Sequence, residues 1–102
     1  MTLIEELLNA IDAAKTKMVM RGMNKYISCP RVVGVQMAME LGSSEQLVNW
    51  ISYLDDPKTA MNGLMQVVER WDTSNEESVA YYMEIISELK AGLCVVIDAV
   101  SF

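Results

Sequence analysis

Residues 74–100 read SNEESVAYYMEIISELKAGLCVVIDAV. Within them Val79, Tyr82, Ile86, Leu89, Leu93, Val96 and Val100 recur in alternating steps of three and four. That heptad spacing keeps one stripe of a helix apolar over three repeats. The stretch opens on Ser74-Asn75-Glu76-Glu77, which fits a capping box: a hydroxyl accepts from the N–H three residues on, and a carboxylate reaches back. A helix over about 75–100 follows. Past Gly92 the run LCVVIDAV is apolar on nearly every side, so something must cover it. Two coverings fit. The seam packs inside a bundle, or it pairs with a second copy as a homodimer through Leu93, Val96, Ile97 and Val100.

The same cap chemistry opens other helices. Thr2-Leu3-Ile4-Glu5 and Ser43-Ser44-Glu45-Gln46 repeat the capping box. Asp56-Pro57 sets an acceptor before a proline whose missing N–H costs nothing at the first helical position. Cys29-Pro30 marks a further start. Helices are expected at about 3–22, 30–41, 44–54, 57–71 and 75–100. Leu3, Leu7, Ile11, Ala14 and Met18 line one face of the first, and Met61, Leu64, Met65, Val68 and Trp71 one face of the fourth. No period-two alternation survives. The expected fold is all-α: a compact bundle of about five helices with a long C-terminal helix, a single helical domain over 1–102.

Composition bounds the chemistry. Hydrophobic residues make up 52% of the 102 and charged residues 22%, the balance of a globular chain. The longest purely apolar run, Leu93 to Ile97, falls far short of the roughly 18 residues a membrane span needs. The N-terminus, MTLIEELL, is acidic where a secretion signal is basic. Cys29 and Cys94 fit neither a metal spacing nor a disulfide framework. A cytoplasmic, reduced setting is expected, with no membrane, metal or cofactor. The chain has no histidine, the usual general base near neutral pH, and no phosphate loop or nucleophile elbow. Glu84 and Glu88, or Glu69 and Asp72, have helical spacing for Mg²⁺, but the facing carboxylate pair such a site needs is incomplete. A non-enzymatic role is expected.

Charge is distributed unevenly. The stretch KTKMVMRGMNKYISCPR, residues 15–31, holds five of the eight cations and no carboxylate. Set against a net charge of −6, its +5 leaves −11 for the remaining 85 residues. On a helix Lys17, Arg21 and Lys25 share one side, in line with the core stripe of Leu3, Leu7 and Ile11. After Met18 the apolar stripe moves round to Val19, Met23 and Ile27. Either the helix ends near Gly22, or it continues with a new apolar face. The row either pairs with the chain's own carboxylates or forms an anion site of Lys17, Arg21, Lys25 and Arg31. Met18, Met20 and Met23 would lie alongside as adaptable contacts.

Residues 34–53, GVQMAMELGSSEQLVNWISY, resemble the helix-turn-helix of small phage repressors and activators. Ala38 and Gly42 sit where that motif has its close-packing Ala and its turn Gly, and Met37, Leu41, Val48 and Ile51 match its buried positions. The resemblance implies a DNA-binding regulator whose second helix reads the major groove. Its polar face here would be Ser44, Glu45, Gln46, Asn49 and Ser52, without a cation. Phosphate contacts would then fall to Arg31 and the 15–25 row.

In length, acidity and methionine content the chain also resembles the small accessory or inhibitor proteins of phages and mobile elements. That resemblance implies a protein partner, contacted through an acidic surface of Asp55, Asp56, Glu76, Glu77, Glu84 and Glu88 that occludes a nucleic-acid-handling enzyme. The alternatives are the DNA-binding regulator and an oligomeric binder of small anions or nucleotides built on the 15–31 segment.

Overall fold

The computed structural model describes residues 2–41, 44–68 and 71–100, with side chains as far as Asp98. Five α-helices, α1 (Leu3–Met20), α2 (Pro30–Glu40), α3 (Ser44–Leu54), α4 (Pro57–Met65) and α5 (Glu76–Val100), make an all-α protein; among the described residues there is no strand. A single 3-10 turn, Asn24–Tyr26, lies between α1 and α2.

Thr2 caps α1: its hydroxyl oxygen accepts from the Glu5 N–H at 3.2 Å. Leu7, Ala14 and Met18 are buried, with Leu3 and Ile11 packed beside them, as the spacing predicts. The helix stops at Met20, two residues before the expected end. The Gly22 N–H reaches the Val19 carbonyl at 3.0 Å and the Met23 N–H the Met18 carbonyl at 2.9 Å. Gly22 has φ 76°, a left-handed conformation that spares only glycine a steric cost. The pattern is a Schellman motif, with Met23 packed against the core. Of the two explanations for the displaced apolar stripe, the helix end is the one realised.

α2 starts at Pro30 with no side-chain cap from Cys29. It is the most enclosed of the short helices, burying Val33, Gly34, Gln36, Met37 and Ala38. α3 buries Leu47, Trp50 and Leu54; Ser43 of its expected capping box lies outside the described residues. Asp56 caps α4, accepting from the Lys58 and Thr59 N–H groups at 3.2 and 3.4 Å.

α4 ends at Met65, well short of 71. Val67 and Val68 follow, and β-branched side chains are poor at extending a helix end. Trp71 therefore does not continue the helical face. It lies flat on Tyr82, ring centroids 4.6 Å apart and planes within 7°. The Asp72 N–H donates to the Tyr82 hydroxyl at 3.3 Å, and the Ser74 N–H to the Asp72 carboxylate at 2.9 Å. The cap of α5 is Asn75, whose Oδ1 accepts from the Ser78 N–H at 2.8 Å. Sequence had assigned that role to Ser74, one residue too early.

α5, 25 residues and so about 37 Å long, runs the length of a molecule measuring 41 × 29 × 25 Å. Its seam is covered from within. Ile86, Leu89 and Leu93 are buried, and Val79, Tyr82, Val96 and Ile97 pack against the same core, closed by α2, α3 and α4. Leu93, expected on a self-association surface, has no exposed area. Val96 and Ile97 are partly buried in the same cluster, and the Val100 side chain lies outside the described residues.

Candidate functional site

The cationic row is largely engaged by the chain itself. Lys17 Nζ lies 3.5 Å and Arg21 Nη2 3.6 Å from the Glu40 carboxylate. Between them Gln36, the one buried polar side chain among the described residues, accepts from Arg21 Nη1 at 3.2 Å and donates to Glu40 at 2.6 Å. This network ties the end of α1 to the end of α2. Arg31 Nε donates to Glu88 at 3.0 Å, linking α2 to α5. Lys25 leaves the row because α1 has ended; its Nζ lies 5.3 Å from the Tyr26 ring centroid. The four cations face three different settings, and only Lys17 and Arg21 share one. Both are about half exposed, so each pair adds little to stability.

The acidic residues divide as well. Asp55 pairs with Lys90, and its hydrogen bond holds the Lys90 ammonium above the ordinary lysine pKa. Asp56 is held below the ordinary aspartate value, chiefly by the Thr59 hydroxyl at 2.7 Å. Glu76 and Glu77 stand in the first turn of α5, where carboxylates complement the helix dipole. Among the described residues no cation pairs with Glu76, Glu77 or Glu84. Glu77, Tyr81, Glu84 and Glu88 follow one another by four, three and four residues, so they form a single stripe. Lys90 lies about 200° round the axis from Glu88, so Asp55 and Asp56 face another side. The structure brings Glu77, Glu84 and Glu88 together on one stripe of α5, turns Glu76 toward Val79 and Met83 beside it, and leaves the two aspartates apart.

Tyr81 was missed by sequence reasoning. It is 61% exposed, among the most exposed large apolar side chains described, and sits one turn from Glu77 and one from Glu84. The signal was available: Tyr81 lies off the Val79–Tyr82–Ile86 seam, beside carboxylates. Next to it a hollow of about 240 Å³ is walled by Ile11, Ile27, Pro30, Ile85 and Leu89, with Lys15 at its edge. A second hollow of about 220 Å³ adjoins it, sharing Ser28, Pro30, Tyr81 and Ile85 and reaching Glu84 and Glu88. The two make one apolar trough beside the anionic stripe.

A third hollow lies between α1, α2 and α3, lined by Ala10, Ala13, Met37 and Trp50 with Lys17 and Glu40 alongside. The Trp50 indole N–H is buried without a hydrogen-bond partner among the described residues. In the segment that resembles a helix-turn-helix, Met37 and Ala38 are buried and Leu41 and Ile51 partly so. Val48 is 50% exposed, since α3 turns Leu47, Trp50 and Leu54 inward instead. Gly42 lies outside the described residues. Of the polar face, Ser44, Glu45, Asn49 and Ser52 are exposed, and Gln46 Nε2 donates to Glu6 at 3.2 Å.

Among the described residues no group of three or more Cys, Asp or Glu side chains could hold a metal ion; Glu69 lies outside them. No described helix is long and apolar enough to cross a membrane. Cys29 and Cys94 are free thiols.

Fold and site together define an all-α five-helix protein with an anionic stripe along one helix and an apolar trough beside it. No family model, curated protein or solved structure matches the chain.

Proposed function

We propose that this chain is a non-enzymatic binding protein of the small acidic accessory or inhibitor type, acting by protein–protein contact. One observation carries the reading: among the described residues Glu76, Glu77 and Glu84 of α5 have no cationic partner, and Tyr81 stands exposed between Glu77 and Glu84. Uncompensated like charges on one face raise the encounter rate with a cationic surface and disfavour acidic partners. A nucleic-acid-handling enzyme offers such a surface, and covering it would exclude the nucleic acid.

The other two readings have less behind them. An anion site at Lys17 and Arg21 must first displace Glu40. A DNA-reading α3 has no cation between Ser44 and Leu54 to neutralise phosphate.

The test is capture by the immobilised full chain from cell extract. Basic nucleic-acid-handling proteins are expected to be retained, displaced by duplex DNA, and lost from the variant Glu76→Lys/Glu77→Lys/Glu84→Lys. Undiminished retention of the same proteins by that variant overturns the reading.

A further inference from the structure

We infer that the trough between the Ile27–Pro30 segment and α5 is the seat of a basic amphipathic helix supplied by a protein partner, with an arginine or lysine of that helix placed on Tyr81 between Glu77 and Glu84. The inference rests on the protein-contact reading above and names the mode of contact.

The trough's chemistry selects its occupant. Its walls are Ile11, Ile27, Pro30, Ile85 and Leu89, so it takes aliphatic or aromatic side chains. Its border on the α5 side carries Glu84 at the second hollow and Glu77 one turn before Tyr81, neither paired with a cation among the described residues, while Glu88 at the same hollow is already paired with Arg31. A second copy of this chain would bring a net −6 and the same acidic stripe, setting like charges together. Nucleic acid and anionic lipid are repelled for the same reason. What remains is a partner that is apolar on one side and cationic beside it.

Adjacency of the two hollows favours a helix. They share Ser28, Pro30, Tyr81 and Ile85, so neighbouring anchors on one helical face can enter them together. No described strand offers an edge for an extended peptide to join.

Tyr81 supplies a ring face and its neighbours supply charge. A guanidinium can stack on the ring while pairing with Glu84 or Glu77, a combination that suits arginine better than lysine. Lys15, at the edge of the first hollow, faces the negative end of a helix dipole when the occupant's C-terminus points that way. The N-terminal end of the occupant then lies toward Glu84.

The experiment is a ¹⁵N-resolved NMR titration of the full chain with three peptides of about four helical turns. The first is an amphipathic Leu/Lys/Arg helix, the second the same composition scrambled to scatter the leucines, the third the first with Glu for every Lys and Arg. The amphipathic basic peptide is expected to shift the amides of Ser28, Tyr81 and Ile85 and to bind about tenfold more tightly than its scrambled form. Tyr81→Ala, a change at an exposed position, is expected to weaken it about fivefold. Equal binding of both basic peptides, with shifts at Glu76, Glu77 and Glu84 but not at Ser28 or Ile85, overturns the groove and leaves the charge reading standing. No binding of either basic peptide at low salt, or equal binding of the acidic one, overturns both.

Discussion

Gly34 and Gly92 bring the backbones of α2 and α5 into contact. A Cβ placed on Gly34 would stand 3.2 Å from the Gly92 Cα and the Leu93 nitrogen, and would collide with the Leu89 carbonyl oxygen. One placed on Gly92 would stand 3.0 Å from the Arg31 carbonyl carbon and the Val35 nitrogen, and would collide with the Arg31 carbonyl oxygen. The obstacles are backbone atoms, which cannot swing aside as a side-chain tip can. The crossing is what lets α2 sink deep enough to bury Val33, Met37 and Ala38 against the seam of α5.

Gly34→Ala and Gly92→Ala are each expected to lower stability by about 3 kcal/mol, measured by urea unfolding. In an ordinary helix interior the same change stabilises by about 1 kcal/mol. A gain of that size at either position would mean that the two helices do not touch there.

Leu93→Ala is expected to cost about 3 kcal/mol or more, because Leu93 has no exposed area within its own chain. Light scattering should find the same molar mass for variant and parent. A variant that halves the mass and keeps its melting temperature would put Leu93 at an interface between copies.

Glu40 serves Lys17, Arg21 and the buried Gln36 amide at once. Glu40→Gln keeps an acceptor for Gln36 and removes only half-exposed ion pairs, so its cost should stay within about 0.5 kcal/mol. Glu40→Leu leaves the buried amide without that partner and should cost about 1–2 kcal/mol. Thermal melts of the two variants side by side separate the terms; equal losses would mean that charge, not the hydrogen bond, holds α1 to α2.

Asp56 titrates below the ordinary aspartate value because Thr59 donates to its carboxylate from both hydroxyl and backbone N–H. A depressed pKa contributes stability above the unfolded value and loses it as pH falls through the folded one. Asp56→Asn caps a helix comparably but does not titrate. The melting temperature of the parent should therefore fall toward, and then below, that of Asp56→Asn as the medium is acidified past the ordinary aspartate pKa. Parallel curves would remove Asp56 from the acid response.

The elements that sequence placed well are those settled within one or two turns. The caps at Thr2 and Asp56 depend on an acceptor and an N–H two or three residues away. The Leu7–Ala14–Met18 stripe depends only on helical period. Errors came where local choices nearly balance. Asn75 displaced Ser74 as a cap, since the Ser74 N–H is already drawn to Asp72. α4 stopped at Met65, freeing Trp71 to stack on Tyr82 from α5, a contact no window along the chain contains.

The candidate site was less legible. Clustering in sequence made Lys17, Arg21, Lys25 and Arg31 one group, yet the Schellman turn at Gly22 redirects the chain, Glu40 is shared by Lys17 and Arg21, and Glu88 pairs with Arg31.

Period, caps and composition were enough to determine an all-α chain with a long, heptad-seamed last helix, because helical hydrogen bonds and side-chain period are properties of near neighbours. That Ile86, Leu89 and Leu93 meet α2, α3 and α4, which carboxylates pair with cations among the described residues, and that Tyr81 borders a trough with Pro30 were decided only by the tertiary structure. Those outcomes depend on how close two backbones can come, and Gly34 and Gly92, 58 positions apart, set that distance together.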